Sequence, residues 1–374
     1  MYQCLEGKYT RNDVLKMLEE YSGLHTNTLY RMIITFGKRT VWPIIEWIID
    51  DMRNEIVAKK LKLKPIWYKK KTDPSSGKVR EIGIQDIKQQ MYDYLAVNAM
   101  DSFIRRIGEF QVASIKGKGQ AYGIQFIRKW MRNKKIRYAA KADIKKCYES
   151  IEKEKLMGFL RKYIKNENLL WLIENLISTF RKGLSIGSYL SQFLCNLYLS
   201  QLYHYISEQI FRIRKHKNGT TERISPVKHV IFYMDDIMIM GTNKKDIHKS
   251  MRMIIAKANE LGLKIKSDWA VYEIRNRFTD MMGAKIYRAH IAIRKRVFKR
   301  IRRTFMRIWR LLKMHRKVDI TRARRAIAYY GIINNTNSFN VKKKYHVEQI
   351  KKICARVISN ESKIFGRTAA GACC

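Results

Sequence analysis

The residues of this sequence best suited to chemistry are three aspartates, Asp143, Asp235 and Asp236. The stretch 230–241 has two apolar runs of strand length on either side of the Asp-Asp pair, which predicts a β-hairpin with both acids at its tip. The stretch 137–143 predicts another strand that ends in a single acid and is followed by helix-forming sequence. If the two elements lie side by side, they pool three carboxylates at one end.

A pooled group of carboxylates favours divalent metal ions. Two like charges among β-branched and aromatic residues repel each other, and their pKa values rise unless cations neutralise them. Hard oxygen ligands favour Mg²⁺, and two such ions can support in-line phosphoryl displacement. An Asp-Asp pair also occurs in ordinary hairpin turns, where both side chains face water. Asp143 is the residue that favours the metal-binding interpretation.

The charge of the chain indicates a polyanionic partner. Its 374 residues include 77 Lys and Arg against 32 acids, a net charge of +45, which destabilises an isolated compact state by self-repulsion. Nucleic acid is favoured over an anionic membrane. A hydrophobic content of 46%, with 21 Tyr and 14 Phe, argues against a disordered basic tail. The aromatic residues could pack in a core or stack on bases.

The cysteines and the apolar runs predict a reducing, aqueous location. The six cysteines lack the paired spacing of a zinc site, so we expect free thiols. The N-terminus has no signal-peptide pattern, and no apolar run approaches the ~18 residues of a membrane span. The sequence therefore predicts a soluble cytoplasmic protein with no membrane partner.

The segment Tyr233-Met234-Asp235-Asp236, together with Asp143 and with Tyr148 five residues further on, resembles the catalytic core of reverse transcriptases. The resemblance implies an α+β, right-hand polymerase fold with fingers, an antiparallel-sheet palm and a small helical basic thumb. It also implies RNA-templated addition of deoxynucleotides to a primer 3′ end. Template RNA, nascent cDNA and dNTPs are the implied partners, with a structured non-coding RNA and a small accessory protein as further candidates.

The resemblance assigns the core residues specific roles. The three aspartates hold two Mg²⁺ ions, for which Mn²⁺ can substitute, with the carbonyl of Ile144 as an extra ligand. The aromatic ring of Tyr148 excludes a 2′-hydroxyl on the incoming nucleotide. Lys266, in a predicted strand over 262–266, resembles the lysine that protonates the departing pyrophosphate; an ordinary exposed lysine is the alternative.

Two basic segments upstream of Asp143 are candidate binding elements. Residues 66–82 predict a basic hairpin turning at 73–77, either a solvated charged edge or the fingers hairpin that clamps the triphosphate. The resemblance assigns that clamp to Arg80 and Lys70. Residues 114–121 form a Gly-rich basic loop before a helix, where backbone amides and the lysines Lys116 and Lys118 could contact the template backbone.

The segment 183–199 predicts a Gly-bounded turn that leads into a long helix, which in the family forms the floor beneath the templating base and the incoming nucleotide. Ile186, Gly187 and Gln192 are its candidate substrate-binding residues. Most reverse transcriptases have Pro-Gln-Gly where this chain has Ser-Ile-Gly. Losing the Gln amide removes hydrogen bonds that distinguish a well-formed base pair from a misplaced one.

This departure at Ile186 resembles the reverse transcriptases of diversity-generating retroelements, which copy RNA with frequent errors opposite adenine. Defence-associated and retron-like bacterial enzymes also vary at this position, and Ile186 could instead simply pack. A rival from another class is a non-catalytic, maturase-like RNA-binding protein that keeps the fold alone. The intact carboxylates argue against this rival.

The last part of the chain is strongly basic. Residues 294–325 hold fifteen Lys or Arg against one acid, and an apolar stripe at helical spacing accompanies them. The stripe consists of Ile301, Phe305, Ile308, Trp309 and Leu312. We expect the opposite face to contact the phosphates of the template–primer duplex; a membrane surface is the alternative. The candidate contacts are Arg302, Arg303, Arg307 and Arg310.

These observations predict three ranges: residues 1–60 form an N-terminal helical extension or part of the fingers, residues 61–290 the fingers and palm, and residues 291–374 the thumb and a C-terminal tail. Six cations between 212 and 228 surround Asn218-Gly219, which predicts a turn between palm strands.

Overall fold

The computed structural model describes residues 1–72, 77, 79–275 and 277–370, with side chains as far as residue 360. The chain divides into two compact units. The first unit comprises Met1–Leu24 and Pro43–Arg277, and the second comprises His25–Trp42 and Phe278–Cys374. None of the helices in the described part of the chain combines the length and the apolar content that a membrane crossing requires.

The α+β class predicted from the sequence is confirmed. The α-helices are α1 (Tyr2–Leu5), α2 (Asn12–Ser22), α3 (Thr26–Phe36), α4 (Trp42–Val57), α5 (Ile87–Ala99), α6 (Gln120–Arg132), α7 (Cys147–Ser150), α8 (Lys153–Arg161), α9 (Glu167–Ser178), α10 (Tyr189–His204), α11 (Lys244–Glu260), α12 (Lys295–Lys313), α13 (Ile320–Asn334), α14 (Phe339–Lys344) and α15 (Val347–Ala370). The strands are β1 (Trp67–Thr72), β2 (Val79–Ile84), β3 (Gln111–Val112), β4 (Tyr138–Asp143), β5 (Arg212–Lys215), β6 (Thr221–Ile224), β7 (His229–Tyr233), β8 (Asp236–Gly241), β9 (Ala270–Glu273), β10 (Thr279–Met281), β11 (Ala284–Ile286) and β12 (Ile291–Ile293).

A five-stranded sheet in the order β3-β7-β8-β4-β9 forms the centre of the first unit. Its strand pairs are antiparallel except for β3 and β7 at one edge, which are parallel. The predicted hairpin is confirmed as β7 and β8, and the predicted strand before Asp143 is confirmed as β4. Strand β8 is buried along nearly its whole length, which explains why its sequence is continuously apolar rather than alternating.

The strand predicted over 262–266 is wrong. Within this segment only Ile265 forms a bridge, with Ile144, because β4 ends at Asp143 and the chain turns away with Lys146 in the left-handed region, at φ 48°. The strand that pairs with β4 at the sheet edge is β9. The turn predicted at Asn218-Gly219 is observed between β5 and β6, but these strands form a separate two-stranded sheet instead of joining the central one.

The second unit has its own core beneath the basic helix α12. The predicted apolar stripe is confirmed, since Ile301, Phe305 and Ile308 are fully buried and Trp309 and Leu312 pack against the same cluster. Burying a side chain of this size contributes about 1.5–3 kcal/mol. Their partners on α13, α15 and the connecting loop are Val318, Ala323, Ala326, Ile333, Val347, Ile350 and Cys354.

A buried carboxylate joins α5 to the start of α10. Asp93 is fully buried, and its Oδ2 accepts hydrogen bonds from Ser188 Oγ at 2.7 Å and from the amide of Leu190 at 3.3 Å. Ser188 caps α10 by accepting a hydrogen bond from the amide of Ser191. Burial raises the pKa of Asp93 to about 6, against the lowering effect of these hydrogen bonds. Asp93 therefore fixes the beginning of α10 at a cost in charge burial.

We predict that Asp93→Asn changes how stability depends on pH. Because the folded state holds this proton up to about pH 6 and the unfolded state releases it near its ordinary pKa of 3.8, the wild type loses stability as pH rises between these values. The full loss in the free energy of unfolding is roughly 3 kcal/mol. Urea unfolding across this range should show that Asp93→Asn lacks this loss. The exposed Asp101→Asn is the control, and parallel profiles for Asp93→Asn and wild type would contradict the prediction.

Candidate active site

The register of the central sheet brings the three aspartates together. Asp143, the last residue of β4, pairs directly with Asp236, the first residue of β8. Asp235 lies in the tight turn before β8, where Met234 has a positive φ of 53°. The carbonyl of Asp235 accepts a hydrogen bond of 3.0 Å from the amide of Ile144. The predicted pooling of carboxylates at one end of two neighbouring strands is therefore observed in the backbone.

The three carboxylates interact strongly. Burial, a hydrogen bond with Asp143 and repulsion from Asp143 and Asp235 together raise the pKa of Asp236 to about 7, while Lys141 acts in the opposite direction. This is the behaviour of like charges that share a partly buried site. The site therefore favours any cation that can approach it.

Two lysines lie against this acidic group. Lys266 Nζ is 3.8 Å from Asp143 Oδ2, and Lys141 Nζ is 3.4 Å from Asp236 Oδ2. Lys266 was predicted to lie at the site, whereas Lys141 was missed. A signal was present, because residues two apart on a strand point to the same face and Lys141 precedes Asp143 by two.

The donor chemistry fits a hard divalent cation. Aspartate oxygens are the ligands such ions prefer, and a bound cation would favour the ionised form of Asp236 against the burial and the neighbouring carboxylates that raise its pKa. In the described part of the chain, no group of three or more His, Cys, Asp or Glu side chains is arranged so that it could hold a metal ion. The carbonyl of Ile144 remains a predicted extra ligand. Its residue is held by the bridge to Ile265.

Tyr148 lies beside the acidic group on the short helix α7. Burial raises its pKa well above the ordinary value, and the charges of Asp235 and Arg80 act on it in opposite directions. The carbonyl of Tyr148 accepts a hydrogen bond from the amide of Leu184 at 2.8 Å. The backbone of Tyr148 is therefore hydrogen-bonded to the segment that leads into α10, and its side chain interacts electrostatically with Arg80 of β2.

Cys147, the first residue of α7, has its Sγ 3.7 Å from Cys195 Sγ of α10. The hydrogen bond with Cys147 and, to a smaller extent, burial raise the pKa of the Cys195 thiol well above its ordinary value. The cysteines of the described chain, which also include Cys4 and Cys354, are free thiols as predicted. Positions 373 and 374 lie outside the described residues.

The basic hairpin predicted over 66–82 is observed as β1 and β2, while residues 73–76 and 78 of its turn lie outside the described residues. Arg80 pairs with Lys71, and Lys70 pairs with Glu81. Directly paired residues share a face of an antiparallel ladder, and their neighbours along the strand point to the other face. Arg80 therefore shares its face with Lys71, and Lys70 lies on the opposite face.

The turn before α10 fits closely against β2. The amide of Gly83 donates a hydrogen bond of 2.8 Å to the carbonyl of Ile186. Gly187 has a φ of +117°, and a Cβ at this position would come within 2.4 Å of the carbonyl oxygen of Gly83. Only glycine is compatible with this approach. Ile186 and Gln192 are half-buried, so their side chains retain access to the surface.

The Gly-rich basic loop is also tied to this region. Ala113 has a positive φ of 84°, its amide donates to the carbonyl of Lys118 at 2.8 Å, and its carbonyl accepts from Asn196 Nδ2 at 3.1 Å. Gln120 Nε2 donates to the hydroxyl of Tyr233 at 3.2 Å. Lys116 is exposed and Lys118 half-buried. The sequence did not predict the role of Asn196, a buried polar residue of α10.

In the second unit, the predicted phosphate contacts lie on the solvent side of α12. Arg302, Arg303, Arg307 and Arg310 are all exposed, opposite the buried stripe. The helix thus has one apolar face that packs and one cationic face that is open.

Comparisons with known proteins indicate a family. A family model described as reverse transcriptase (RNA-dependent DNA polymerase) matches residues 68–272. The comparison with curated proteins gives no match.

Several solved structures are similar. Telomerase from Candida albicans in complex with a fragment of telomeric RNA matches with a TM-score of 0.44 and 12% identity, over 82% of this chain and 55% of that one. Telomerase from Candida tropicalis with the same kind of RNA fragment matches with a TM-score of 0.43 and 12% identity, over 85% and 58%. An apo form from Candida tropicalis that lacks its C-terminal domain matches with a TM-score of 0.40 and 13% identity, over 61% and 55%. The chain spans little more than half the length of these structures.

Proposed function

The chain belongs to the reverse transcriptase (RNA-dependent DNA polymerase) family, and from this premise we propose that it adds deoxynucleotides to a primer 3′ end opposite an RNA template. The observation that supports the proposal best is the pairing of Asp143 with Asp236 beside the turn that carries Asp235. A ladder that holds three carboxylates at its end needs cations for stability, and phosphoryl transfer makes use of such cations.

In this proposal Asp143 and Asp235 would hold the divalent ions, Mg²⁺ or Mn²⁺, with Asp236 and the carbonyl of Ile144 in support. When bound, such ions activate the attacking hydroxyl and stabilise the leaving oxygen. Lys141, at 3.4 Å from Asp236, offsets only part of the burial and repulsion that raise the pKa of this carboxyl group to about 7. Bound divalent ions would supply the remaining positive charge that the ionised carboxylates need.

The remaining residues bind and orient the nucleotide. Lys266, at 3.8 Å from Asp143, is close enough to the reacting centre to give its proton to the departing pyrophosphate. Arg80, which interacts electrostatically with Tyr148, binds the triphosphate. We assigned Lys70 to the same clamp from the sequence. Lys71 shares the face of Arg80 and is the better-oriented partner.

The template and the duplex are bound by basic surfaces within the predicted ranges 61–290 and 291–374. Lys116 and Lys118 lie on a loop that Gln120 links to Tyr233, next to the aspartates, which suits contact with the template backbone. The exposed arginines of α12 suit the phosphates of a duplex. These contacts give affinity without sequence preference.

We further propose error-prone cDNA synthesis of the kind found in diversity-generating retroelements, with a structured RNA and a small accessory protein as candidate partners. The support is Ile186, whose half-buried side chain occupies the position of the amide found in most relatives. Its backbone is held by Gly83, so the side chain has a defined position without contributing hydrogen bonds to a base pair.

We predict that Asp235→Asn lowers dNTP incorporation on a primed RNA template at least about 100-fold, because it removes a metal ligand. RNA affinity should stay within about twofold of wild type, since the basic surfaces are intact. Both quantities are measured on the same preparation, with the exposed Asp50→Asn as control. If the variant kept a tenth of the activity, the site assignment would be wrong.

We predict that Tyr148→Val admits ribonucleotides, because a smaller side chain opens space beneath the sugar. The ratio of kcat/KM for dNTP to that for rNTP should fall at least about tenfold, a change of about 1.4 kcal/mol in discrimination. Tyr148→Phe, which keeps the ring, is the control and should leave the ratio nearly unchanged. An unchanged ratio in Tyr148→Val would remove this residue from the nucleotide site.

We predict that wild-type enzyme misincorporates most often opposite template adenine and that Ile186→Gln lowers this rate, because the amide restores hydrogen bonds that test the nascent pair. Product sequencing on a defined RNA template measures both. Ile186→Leu, which is apolar and of equal size, should keep the wild-type error rate. Errors at adenine no more frequent than at other bases would instead support a defence-associated or retron-like enzyme.

A further inference from the structure

The hairpin β5–β6 lies away from the acidic group. After the hairpin, the chain joins the central sheet at His229, the first residue of β7. Asp235 and Asp236 follow the other end of this strand. Strand β7 has five residues, so its two ends are roughly 15 Å apart. The hairpin residues are exposed almost throughout, so the hairpin adds little to the core.

The ladder register gives the hairpin two different faces. One face carries Arg212, Arg214, Glu222 and Ile224, and the other carries Ile213, Lys215, Thr221 and Arg223. On the first face the cations meet acids, because Arg212 Nε lies 3.6 Å from Asp246 Oδ2 and Arg214 pairs across the ladder with Glu222. This face is anchored to α11 and largely neutralised.

The second face, which we call the open face, combines flat, apolar and cationic groups. The guanidinium of Arg223 lies over the ring of Phe211, with Cζ 3.7 Å from the ring centroid, and Ile213 beside it is 62% exposed. Lys215 extends this face, and Lys217 lies in the turn beyond it. In the part of the chain that the structure describes, no ion pair joins Lys215, Lys217 or Arg223 to a carboxylate.

We propose that the open face binds single-stranded template RNA outside the active site. A base can stack on the Arg223–Phe211 pair and against Ile213, and the two lysines can hold the adjoining phosphates. The cations on this face are complementary to a polyanion, and the apolar groups suit unstacked bases more than a continuous duplex.

The choice of RNA as occupant rests on the proposed function. In RNA-directed synthesis the template is the strand that is single before it is copied, while the product DNA is made already paired with it. A solvated edge that only prevents aggregation would need the charges alone. Such an edge would not explain the exposed Ile213 beside a stacked arginine. An isolated two-stranded hairpin is also only marginally stable, so a bound partner would stabilise it.

The test compares two full-length variants that lose equal charge. The open-face variant is Lys215→Ala/Lys217→Ala/Arg223→Ala. The matched control is Arg214→Ala/Lys162→Ala/Lys165→Ala, which removes one exposed cation from the other face of the hairpin and two from outside it. The probe is fluorescent oligouridine of roughly 20 nucleotides, measured by anisotropy. We expect about tenfold weaker binding for the open-face variant and a salt slope lower by about 2, against less than threefold for the control.

Arg223→Lys, which keeps the charge but loses the planar stack, should weaken oligouridine binding about threefold and leave binding to duplex RNA unchanged. Equal losses in the open-face variant and the control, or equal losses on duplex RNA, would overturn the proposal. The proposal would also be overturned if the open-face variant kept its RNA binding but lost binding to polyglutamate, because this result would indicate an acidic protein partner. The open-face variant should retain dNTP incorporation on a short primed template, so a failure of the proposed function would appear separately, in the wild type.

Discussion

Repulsion among Asp143, Asp235 and Asp236 is the constraint on which the site depends. The sheet register forces two of these carboxylates to face each other, and the turn at Met234 brings the third alongside. Burial on the sheet removes water that would otherwise screen them, which is why the pKa of Asp236 rises. Lys141, beside Asp236, and Lys266, beside Asp143, reduce the repulsion. The strands can therefore pair through their last residues.

A second constraint is the close approach of two backbones. Gly83 of β2 and Gly187 before α10 approach so closely that neither accepts a Cβ, since Gly83 would meet Ser185 Oγ at 2.2 Å and Gly187 would meet the carbonyl of Gly83. This contact joins the hairpin that carries Arg80 to the floor that carries Ile186. Asp93 holds the same turn from α5. The nucleotide-binding residues are thus attached to one continuous backbone framework.

The sequence allowed the strands, the acids at their ends and the amphipathic helix α12 to be predicted, because each is encoded in a local pattern of apolar and charged residues. Local patterns do not specify ladder register, which decides that Lys71 rather than Lys70 shares the face of Arg80. Nor do they reveal that Asn196 holds the strained backbone of Ala113, 83 residues away. Such contacts depend on tertiary packing, and the sequence does not distinguish Asn196 from the other polar residues of α10, such as Ser191 and Ser200.

The distribution of charge links the fold to a polyanionic substrate. The chain carries +45, yet three of its acids are gathered at the end of the central sheet. An excess of cations at the surface attracts phosphates over a distance, whereas three carboxylates repel a phosphate at contact unless cations lie between them. The positive surface and the negative carboxylate group therefore have different tasks. The surface cations bind the nucleic acid, and the carboxylates bind the cations that the proposed chemistry requires.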